Sequence, residues 1–208
     1  MTSPQPSPPL PSSGRAVAGL LLAAGGGRRL GGRPKALLSH RGRPLAEHAA
    51  RTLRAGGCGP VHVVVGAAAD RVRAEAEFGG CVLVDNPDWA TGMGSSLRAG
   101  LASLAGTGAG AALVLLVDQP GIGAAAVARV RGAYRSPGTL ATASYGGERG
   151  HPVLIGAGHW GAVGAGAVGD RGARGYLEAH SGVLRLVECG DVAEPYDIDT
   201  PEDLTRLG

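Results

Sequence analysis

Lysine is nearly absent from this sequence. The chain of 208 residues has 20 lysine and arginine side chains, and Lys35 is the one lysine among them. Aromatic residues are also scarce, at 3% of the composition, and no basic cluster is interleaved with them. This argues against nucleic-acid binding, which uses basic surfaces with stacking aromatics. The formal net charge of +3 suits small anionic ligands instead, and the core must consist of Val, Leu, Ile and Ala.

Cysteine is rare and scattered. Cys58, Cys81 and Cys189 lie far apart and form no CxxC pair. An odd, dispersed set argues against a disulfide framework or a zinc site, and indicates free thiols in a reducing compartment. We therefore expect a cytoplasmic protein.

Long hydrophobic runs are missing as well. No apolar run reaches the ~18 residues of a membrane-spanning helix, so we expect no membrane association. Residues 1–14 are rich in proline and serine, without a basic start or an apolar segment, which indicates a disordered tail and not a signal peptide. Residues 15–208 are long enough for one domain that buries most of its apolar surface.

Hydrophobic periodicity predicts alternating strands and helices in the first part of the chain. Strands are predicted at Val17–Ala23, Val61–Val65, Cys81–Val84 and Leu113–Val117, with a short extended piece at Ala36–Leu38. Helices are predicted from Pro44 to Gly56, near Ala68–Phe78, after Gly94-Ser95, and around Val127, Val130 and Tyr134. This rhythm is typical of an α/β fold with a Rossmann-like, doubly wound, mostly parallel sheet.

The second half has a different pattern. Thr139–Tyr145 and His151–Ile155 are separated by Gly146-Gly147 and are predicted to form a hairpin. Helical stretches near Gly158–Ala165 and Arg171–His180 and a strand at Val183–Glu188 follow. Thr200-Pro201-Glu202-Asp203 has the pattern of a capping box at the start of a last helix. We expect this C-terminal hairpin region to close over a second substrate.

The segment Gly25–Lys35 follows the first predicted strand and combines glycines, arginines and the single lysine. Glycines allow backbone N–H groups to approach phosphate oxygens, and arginines match phosphate geometry. The P-loop pattern fails because Gly31 is followed by Gly32 and Arg33, and the dinucleotide pattern fails because Leu30 stands in place of its third glycine. The alternative is a flexible glycine-arginine surface loop.

Two other strand ends carry unusual residues. Asp118 ends the most apolar strand and is well placed to hold Mg²⁺, although capping of the next helix would also explain it. In the segment Asn86–Leu97, Gly92 and Gly94 permit close backbone approach, while Ser95 and Ser96 present polar groups at a helix start. Trp89 in that segment is equally explained as a packing aromatic.

Near the C-terminus, Asp197 and Asp199 alternate along an extended segment, which places them on the same side. Capping and solvation are the alternative explanation for either carboxylate.

Five motifs together resemble the MobA-like nucleotidyltransferases, which couple a nucleotide to molybdopterin or a related acceptor. They are L-A-A-G-x-G-x-R-x-G-x-P-K, N-P-x-W-x-x-G-M-x-x-S-L, L-V-D-Q-P, the acceptor-side pair G-H-P and G-D-R-G-A-R, and D-I-D-T-P-E-D-L. They occur in the family's order across residues 17–207. The first motif is one residue longer here, at Gly31–Pro34, than in its tightest form. The second resembles the molybdenum cofactor cytidylyltransferase branch.

The resemblance implies a fold of the nucleotide-diphospho-sugar transferase type and a role for each motif residue. Lys35, Arg28 and Asp118 are implied to be catalytic. The implied metal ligands are Asp118 and one of Asp197 and Asp199, with Asp199 favoured. The implied nucleotide-binding residues are Leu22, Ala23, Ala24, Gly25, Gly26, Gly27, Arg29, Lys35, Asn86, Gly92, Gly94, Ser95 and Ser96. The implied acceptor-binding residues are Gln119, Pro120, His151, Asp170 and Arg174; His151 alone is also explained as a hydrogen-bonded structural residue.

The implied reaction is Mg²⁺-dependent transfer of a nucleotide from a nucleoside triphosphate to the terminal phosphate of molybdopterin, with release of pyrophosphate. CTP is favoured over GTP because cytidylyl-type relatives tend to carry Ala-Gly where this chain has Ala24-Gly25. The candidate recipient of the product is a molybdoenzyme or its maturation factor. The alternatives are another phosphorylated acceptor, such as a sugar or isoprenoid precursor phosphate, a non-catalytic molybdopterin carrier, and a glycine-rich binding module.

Overall fold

A computed structural model describes residues 16–207 of the chain. The predicted disordered tail, residues 1–14, lies outside the described residues. Nine strands are present in the described part: β1 Val17–Leu22, β2 Ser39–His40, β3 Arg43–Pro44, β4 Val61–Val65, β5 Val82–Asp85, β6 Ala111–Leu116, β7 Leu140–Tyr145, β8 Glu148–Gly156 and β9 Arg185–Glu188. The α-helices are α1 Leu45–Ala55, α2 Ala69–Glu75, α3 Met93–Ser103, α4 Ala124–Arg131, α5 Trp160–Gly166 and α6 Arg174–Ala179.

Seven of these strands form one sheet in the order β5-β4-β1-β6-β8-β7-β9, and β2 and β3 form a separate small ladder. Strands β5, β4, β1 and β6 are parallel to one another. Strand β8 is antiparallel to both of its neighbours, and β9 is parallel to β7. The predicted mostly parallel sheet and the predicted hairpin are confirmed.

The sheet is covered on both faces, which explains why strands β1 and β6 at its centre carry no polar side chain. Leu21 of β1 and Leu113 of β6 pack on one face against α1, α2 and α4, through residues such as Leu53. Leu20 of β1 and Val114 of β6 point the other way, toward α3, α5 and α6. The alternation of side chains along each strand thus divides the core into two layers.

Several predicted boundaries differ from the structure. The extended piece predicted at Ala36–Leu38 is wrong: a 3-10 helix spans Lys35–Leu37 and strand β2 begins only at Ser39. Helix α3 begins at Met93, before the predicted start. Helix α6 is shorter than predicted, because Gly169–Arg171 forms a separate 3-10 turn.

The final helix is also of the 3-10 type, at Glu202–Leu207. Half of the predicted capping box is present, since the Asp203 carboxylate accepts the backbone N–H of Thr200 at 2.8 Å; the Thr200 hydroxyl donates to the same carboxylate at 3.0 Å.

The carboxyl ends of β1, β4, β5 and β6 meet at one edge of the sheet, which is where ligands bind in open α/β folds. The antiparallel strand β8 contributes its beginning to the same edge, because Val153 pairs with Val114 of β6. Loops from both halves of the chain therefore converge there. No helix among residues 16–207 combines the length and the hydrophobicity that crossing a bilayer requires.

The packing of α1 against α4 provides a test of this architecture. A Cβ at Gly56, directly after α1, would lie 2.5 Å from Cβ of Val127 and 3.2 Å from the carbonyl oxygen of Ala124. Gly56→Ala should lower the free energy of unfolding by about 1–3 kcal/mol, the usual cost of overpacking, as measured by urea denaturation.

The matched control is Gly161→Ala, because Gly161 lies in helix α5 and a Cβ added there would meet no atom of another element within 4 Å. This variant should be neutral or stabilised by up to about 1 kcal/mol. Equal stability of the two variants would contradict the described α1–α4 contact.

Candidate functional site

A lysine ammonium bridges two carboxylates at the carboxyl edge of the sheet. Lys35 Nζ donates to Oδ2 of Asp118 at 2.6 Å and also to Oδ1 of Asp199. The side chains of Lys35 and Asp118 are 15% and 18% exposed, whereas that of Asp199 is 38% exposed. The structure thus brings together three predicted site residues that lie up to 164 positions apart in sequence.

The fold places each of these three side chains. Asp118 lies two residues beyond the end of β6. The backbone N–H of Ile198, which is fully buried, donates to the carbonyl oxygen of Asp118 at 2.9 Å and so ties the C-terminal segment to this strand end. The carboxylate of Asp203 accepts the N–H of Asp199 at 3.0 Å. Asp199 is therefore anchored on both sides.

The ammonium is firmly charged. Burial alone would lower the pKa of Lys35, but the charge of Asp118 and the hydrogen bonds to Asp118 and Asp199 outweigh burial and raise this pKa. A charge-assisted hydrogen bond at 2.6 Å is stronger than a neutral one. Lys35 therefore acts as a permanent cation at this edge.

Asp197 has different partners from Asp199. Its Oδ1 accepts a hydrogen bond from Nε2 of Gln119 at 2.7 Å, and it makes no ion pair with Lys35. Of the two C-terminal carboxylates, Asp199 is the one that shares a cation with Asp118. The amide oxygen of Gln119, Oε1, is buried without a hydrogen-bond partner among the described residues.

The glycine-arginine loop lies directly beside this cluster. It closes on itself, since the N–H groups of Leu30 and Gly32 donate to the carbonyl oxygen of Gly27 at 2.8 and 3.0 Å. Gly27 has φ of 63°, and a Cβ there would lie 2.9 Å from the carbonyl carbon of Arg33, so that only glycine fits without strain. The loop has a defined shape.

Two of the three arginines of this loop, Arg28 and Arg29, contact different partners. Arg29 forms an ion pair with Asp199 at 3.4 Å. Arg28 donates to the carbonyl oxygen of Ala90 at 3.2 Å and so links the loop to the segment after β5. The sequence motif alone does not distinguish these two orientations, and the catalytic role predicted for Arg28 stays a prediction.

Trp89 joins the same two loops by packing. A Cβ at Gly26 would lie 3.0 Å from the Trp89 ring, and a Cβ at Gly66 would lie 2.5 Å from Cβ of Trp89. The glycines after β1 and β4 thus make room for this indole. The packing alternative for Trp89 describes its position well.

The predicted nucleotide-binding side chains after β5 are buried and bonded to one another. Asn86 Nδ2 donates to Oγ of Ser95 at 2.8 Å and to Oγ of Ser96 at 3.0 Å. All three residues are at most 5% exposed. These side chains fix the shape of the loop, and their predicted role in nucleotide binding stays a prediction.

Asp170, one of the predicted acceptor residues, lies next to this segment. Asp170 Oδ1 accepts the N–H of Met93, the first residue of α3, at 3.4 Å. Gly92 has φ of 114°, and a Cβ there would lie 2.5 Å from the carbonyl carbon of Gly169. The predicted nucleotide and acceptor segments are therefore in direct contact, which the sequence does not indicate.

His151 borders a small cavity of about 30 Å³ with otherwise apolar walls, formed by Leu22, Met93, Leu97, Val114, Val153, Ile155 and Ala173. Burial lowers the pKa of His151 to about 4, with Arg174 adding to this effect and Asp197 opposing it. The imidazole is thus neutral at physiological pH. Pro120 and Arg174, the other predicted acceptor residues, lie after Gln119 and at the start of α6.

Within residues 16–207, no group of three or more His, Cys, Asp or Glu side chains has the arrangement of a complete metal site. Two carboxylates that converge on one cation nevertheless match the donor chemistry of Mg²⁺, which takes one or two protein carboxylates and completes its shell with water and phosphate oxygens. The ammonium of Lys35 lies between these two carboxylates. Asp118 and Asp199 therefore fit the group that the family implies.

Known proteins similar in sequence to this chain are named for different activities. A nicotine blue oxidoreductase from Paenarthrobacter nicotinovorans is 44% identical over 198 residues, which cover 92% of this chain and 96% of that protein. A molybdenum cofactor guanylyltransferase from Acidiphilium cryptum is 38% identical over 108 residues, covering 52% of this chain and 53% of that protein.

Solved structures confirm the fold. The Rv0371c protein of Mycobacterium tuberculosis H37Rv, in complex with manganese, has a TM-score of 0.74 at 26% identity and covers 92% of this chain and 97% of that one. A nucleotidyl transferase from Methanothermobacter has a TM-score of 0.78 at 21% identity, covering 93% and 96%. These neighbours have the nucleotide-diphospho-sugar transferase fold that the sequence motifs implied.

A family model matches residues 19–183, which include the loop after β1, Asp118 and His151. With the motifs, the fold and this match all in agreement, the chain belongs to the MobA-like NTP transferase family.

Proposed function

We propose that this chain transfers CMP from CTP to the terminal phosphate of a molybdopterin-type acceptor and releases pyrophosphate. The observation that carries the proposal is the meeting of Lys35, Asp118 and Asp199 beneath the glycine-arginine loop. This arrangement offers cations to a triphosphate and carboxylates to a metal at one point. The relative named as a molybdenum cofactor guanylyltransferase supports the acceptor class.

In the proposed reaction, an oxygen of the acceptor phosphate attacks the α-phosphorus of CTP, and the bond from that phosphorus to pyrophosphate breaks. Both reactants are anions, so that positioning and charge neutralisation dominate. The acceptor phosphate is ionised at neutral pH and requires no general base. Lys35 would stabilise the charge that develops at the α-phosphate, and Arg29 would bind the outer phosphates.

Asp118 and Asp199 would hold Mg²⁺, which neutralises phosphate charge and orders the triphosphate when bound. The manganese complex of the Rv0371c protein supports a divalent metal in this fold. Ile198 and Asp203 would keep the two carboxylates in place through the backbone hydrogen bonds described above.

A redox activity is the second candidate, because a relative that matches nearly the whole chain is named as a nicotine blue oxidoreductase. The Gly25–Leu30 segment lacks the dinucleotide-binding fingerprint. Cys58 is buried, and burial raises the pKa of its thiol to about 12, which makes it a poor redox group. Bleaching of nicotine blue by a reduced nicotinamide dinucleotide, without pyrophosphate release in the transfer assay, would favour this second function.

Removal of the bridging cation should impair transfer. We expect Lys35→Ala to lower the rate of pyrophosphate release on the order of 10²–10³-fold, by analogy with loss of one preorganised donor. Arg33→Ala is the matched control, because Arg33 is an exposed cation two residues away in the same loop. A folded Lys35→Ala variant with the turnover of the control would remove Lys35 from the mechanism.

Asp118 and Asp197 have different hydrogen-bond partners, so substitutions can test which of them binds the metal. Asp118→Asn should abolish Mg²⁺-dependent activity with the fold intact, because an amide is a weaker ligand for a hard cation. Asp197→Asn should keep the metal requirement, since Asp197 bonds to Gln119 and not to the bridging lysine. Pyrophosphate release is measured against Mg²⁺ concentration. Loss of the requirement in the Asp197 variant alone would reassign the site.

Nucleotide choice can be measured without an acceptor. We expect CTP with Mg²⁺ to raise the melting temperature more than GTP with Mg²⁺, because the proposed function requires CTP to bind more tightly. A ligand at 100 times its Kd stabilises the folded state by about 2.7 kcal/mol. Thermal-shift titrations of both nucleotides at matched concentration provide the ranking. A larger shift with GTP would assign the chain to guanylyl transfer.

A further inference from the structure

The carboxylates proposed to bind metal are already neutralised by the protein's own cations. Asp118 and Asp199 carry two negative charges, and Lys35 and Arg29 supply two positive charges in contact with them. Lys35 contacts both carboxylates, while Arg29 contacts only Asp199. The charges of these four side chains cancel, while Asp197, which bonds to Gln119, adds a further carboxylate beside Asp118 and Asp199.

A metal ion that entered this cluster alone would have to displace the Lys35 ammonium. The side chain of Lys35 is only 15% exposed, so the displaced ammonium would stay poorly solvated beside a divalent cation. The ammonium and the divalent cation, both positive, would repel each other strongly in a partly desolvated site. Metal binding without nucleotide is therefore opposed by the lysine.

A nucleoside triphosphate removes this obstacle because it brings several negative charges. Its phosphate oxygens can accept the hydrogen bonds of Lys35 and Arg29, which leaves both carboxylates open to the metal. Arginine and lysine each match phosphate oxygens as hydrogen-bond donors. Arg29, whose side chain is 77% exposed, is free to move to such a ligand.

We propose that Lys35 occupies the metal position in the free protein, and that metal and nucleoside triphosphate bind cooperatively by exchanging ion-pair partners with it. This inference rests on the proposed function only for the identity of the metal ligands, Asp118 and Asp199. It predicts an unusual result: loss of a residue required for turnover improves metal binding.

The first experiment measures Mn²⁺ binding without nucleotide, by the electron paramagnetic resonance signal of free Mn²⁺. The wild-type protein should bind Mn²⁺ weakly, and Lys35→Met should bind it at least about tenfold more tightly, within the usual range of coupling between sites. Lys35→Gln, which keeps a hydrogen-bond donor without the charge, should behave in the same way. Arg33→Met, in the same loop, should match the wild type.

Addition of Asp118→Asn to Lys35→Met should remove the gained Mn²⁺ affinity, which locates the ion. Equal Mn²⁺ affinity in the wild type and in both Lys35 variants, with unchanged melting curves, would overturn the inference. Tight Mn²⁺ binding that survives the double substitution would overturn it as well, because the ion would then lie elsewhere.

The second experiment measures cooperativity in the absence of any acceptor, so that no transfer occurs. In the wild type, CTP should tighten Mn²⁺ binding by about 5- to 150-fold, after correction for Mn²⁺ bound to free CTP, and this factor should fall in Lys35→Met. If exchange is observed but no acceptor supports pyrophosphate release, the transfer proposal fails and the inference stands. Transfer without any coupling between CTP and Mn²⁺ binding would support the transfer proposal and overturn the inference.

Discussion

The ion pair between Lys35 and Asp118 is the contact on which the rest of the site depends. It joins the loop after the first strand to the end of the strand at the centre of the sheet, and through Asp199 it includes the C-terminal segment. Each of these three segments belongs to a different part of the chain. A partly buried charge cluster of this kind gives little net stability, so its presence at the ligand-binding edge indicates a functional role.

The fold supplies the rigid support for this contact. Parallel strands with covered faces bring their carboxyl ends to one edge, and the antiparallel strand β8 adds His151 to that edge from the second half of the chain. Hydrogen bonds to the backbone fix the two aspartates that carry the charges: the N–H of Ile198 donates to the carbonyl oxygen of Asp118, and the Asp203 carboxylate accepts the N–H of Asp199. The two aspartates are therefore held in place by their backbone, whichever cation their carboxylates contact.

Much of the fold and of the site could be predicted from the sequence. Apolar runs such as Leu113–Val117 identify buried strands because both faces of the sheet are covered, and the strand-end rule places Lys35 and Asp118 at one edge. Contacts that depend on side-chain direction could not be predicted. Neighbouring residues Arg28 and Arg29 point to Ala90 and Asp199 respectively, and Asn86, Ser95 and Ser96 are bonded to one another in the interior. The local sequence pattern does not specify such tertiary contacts.

The central claim is that Lys35, Asp118 and Asp199 meet on a single metal–triphosphate complex. The most direct measurement is a crystal structure with CTP and Mn²⁺, in which anomalous scattering locates the metal. We expect a Mn²⁺ peak at coordination distance from both carboxylates, with Nζ of Lys35 on a phosphate oxygen and no longer between Asp118 and Asp199. A metal bound away from these carboxylates, with the lysine still bridging them beneath a bound nucleotide, would contradict it.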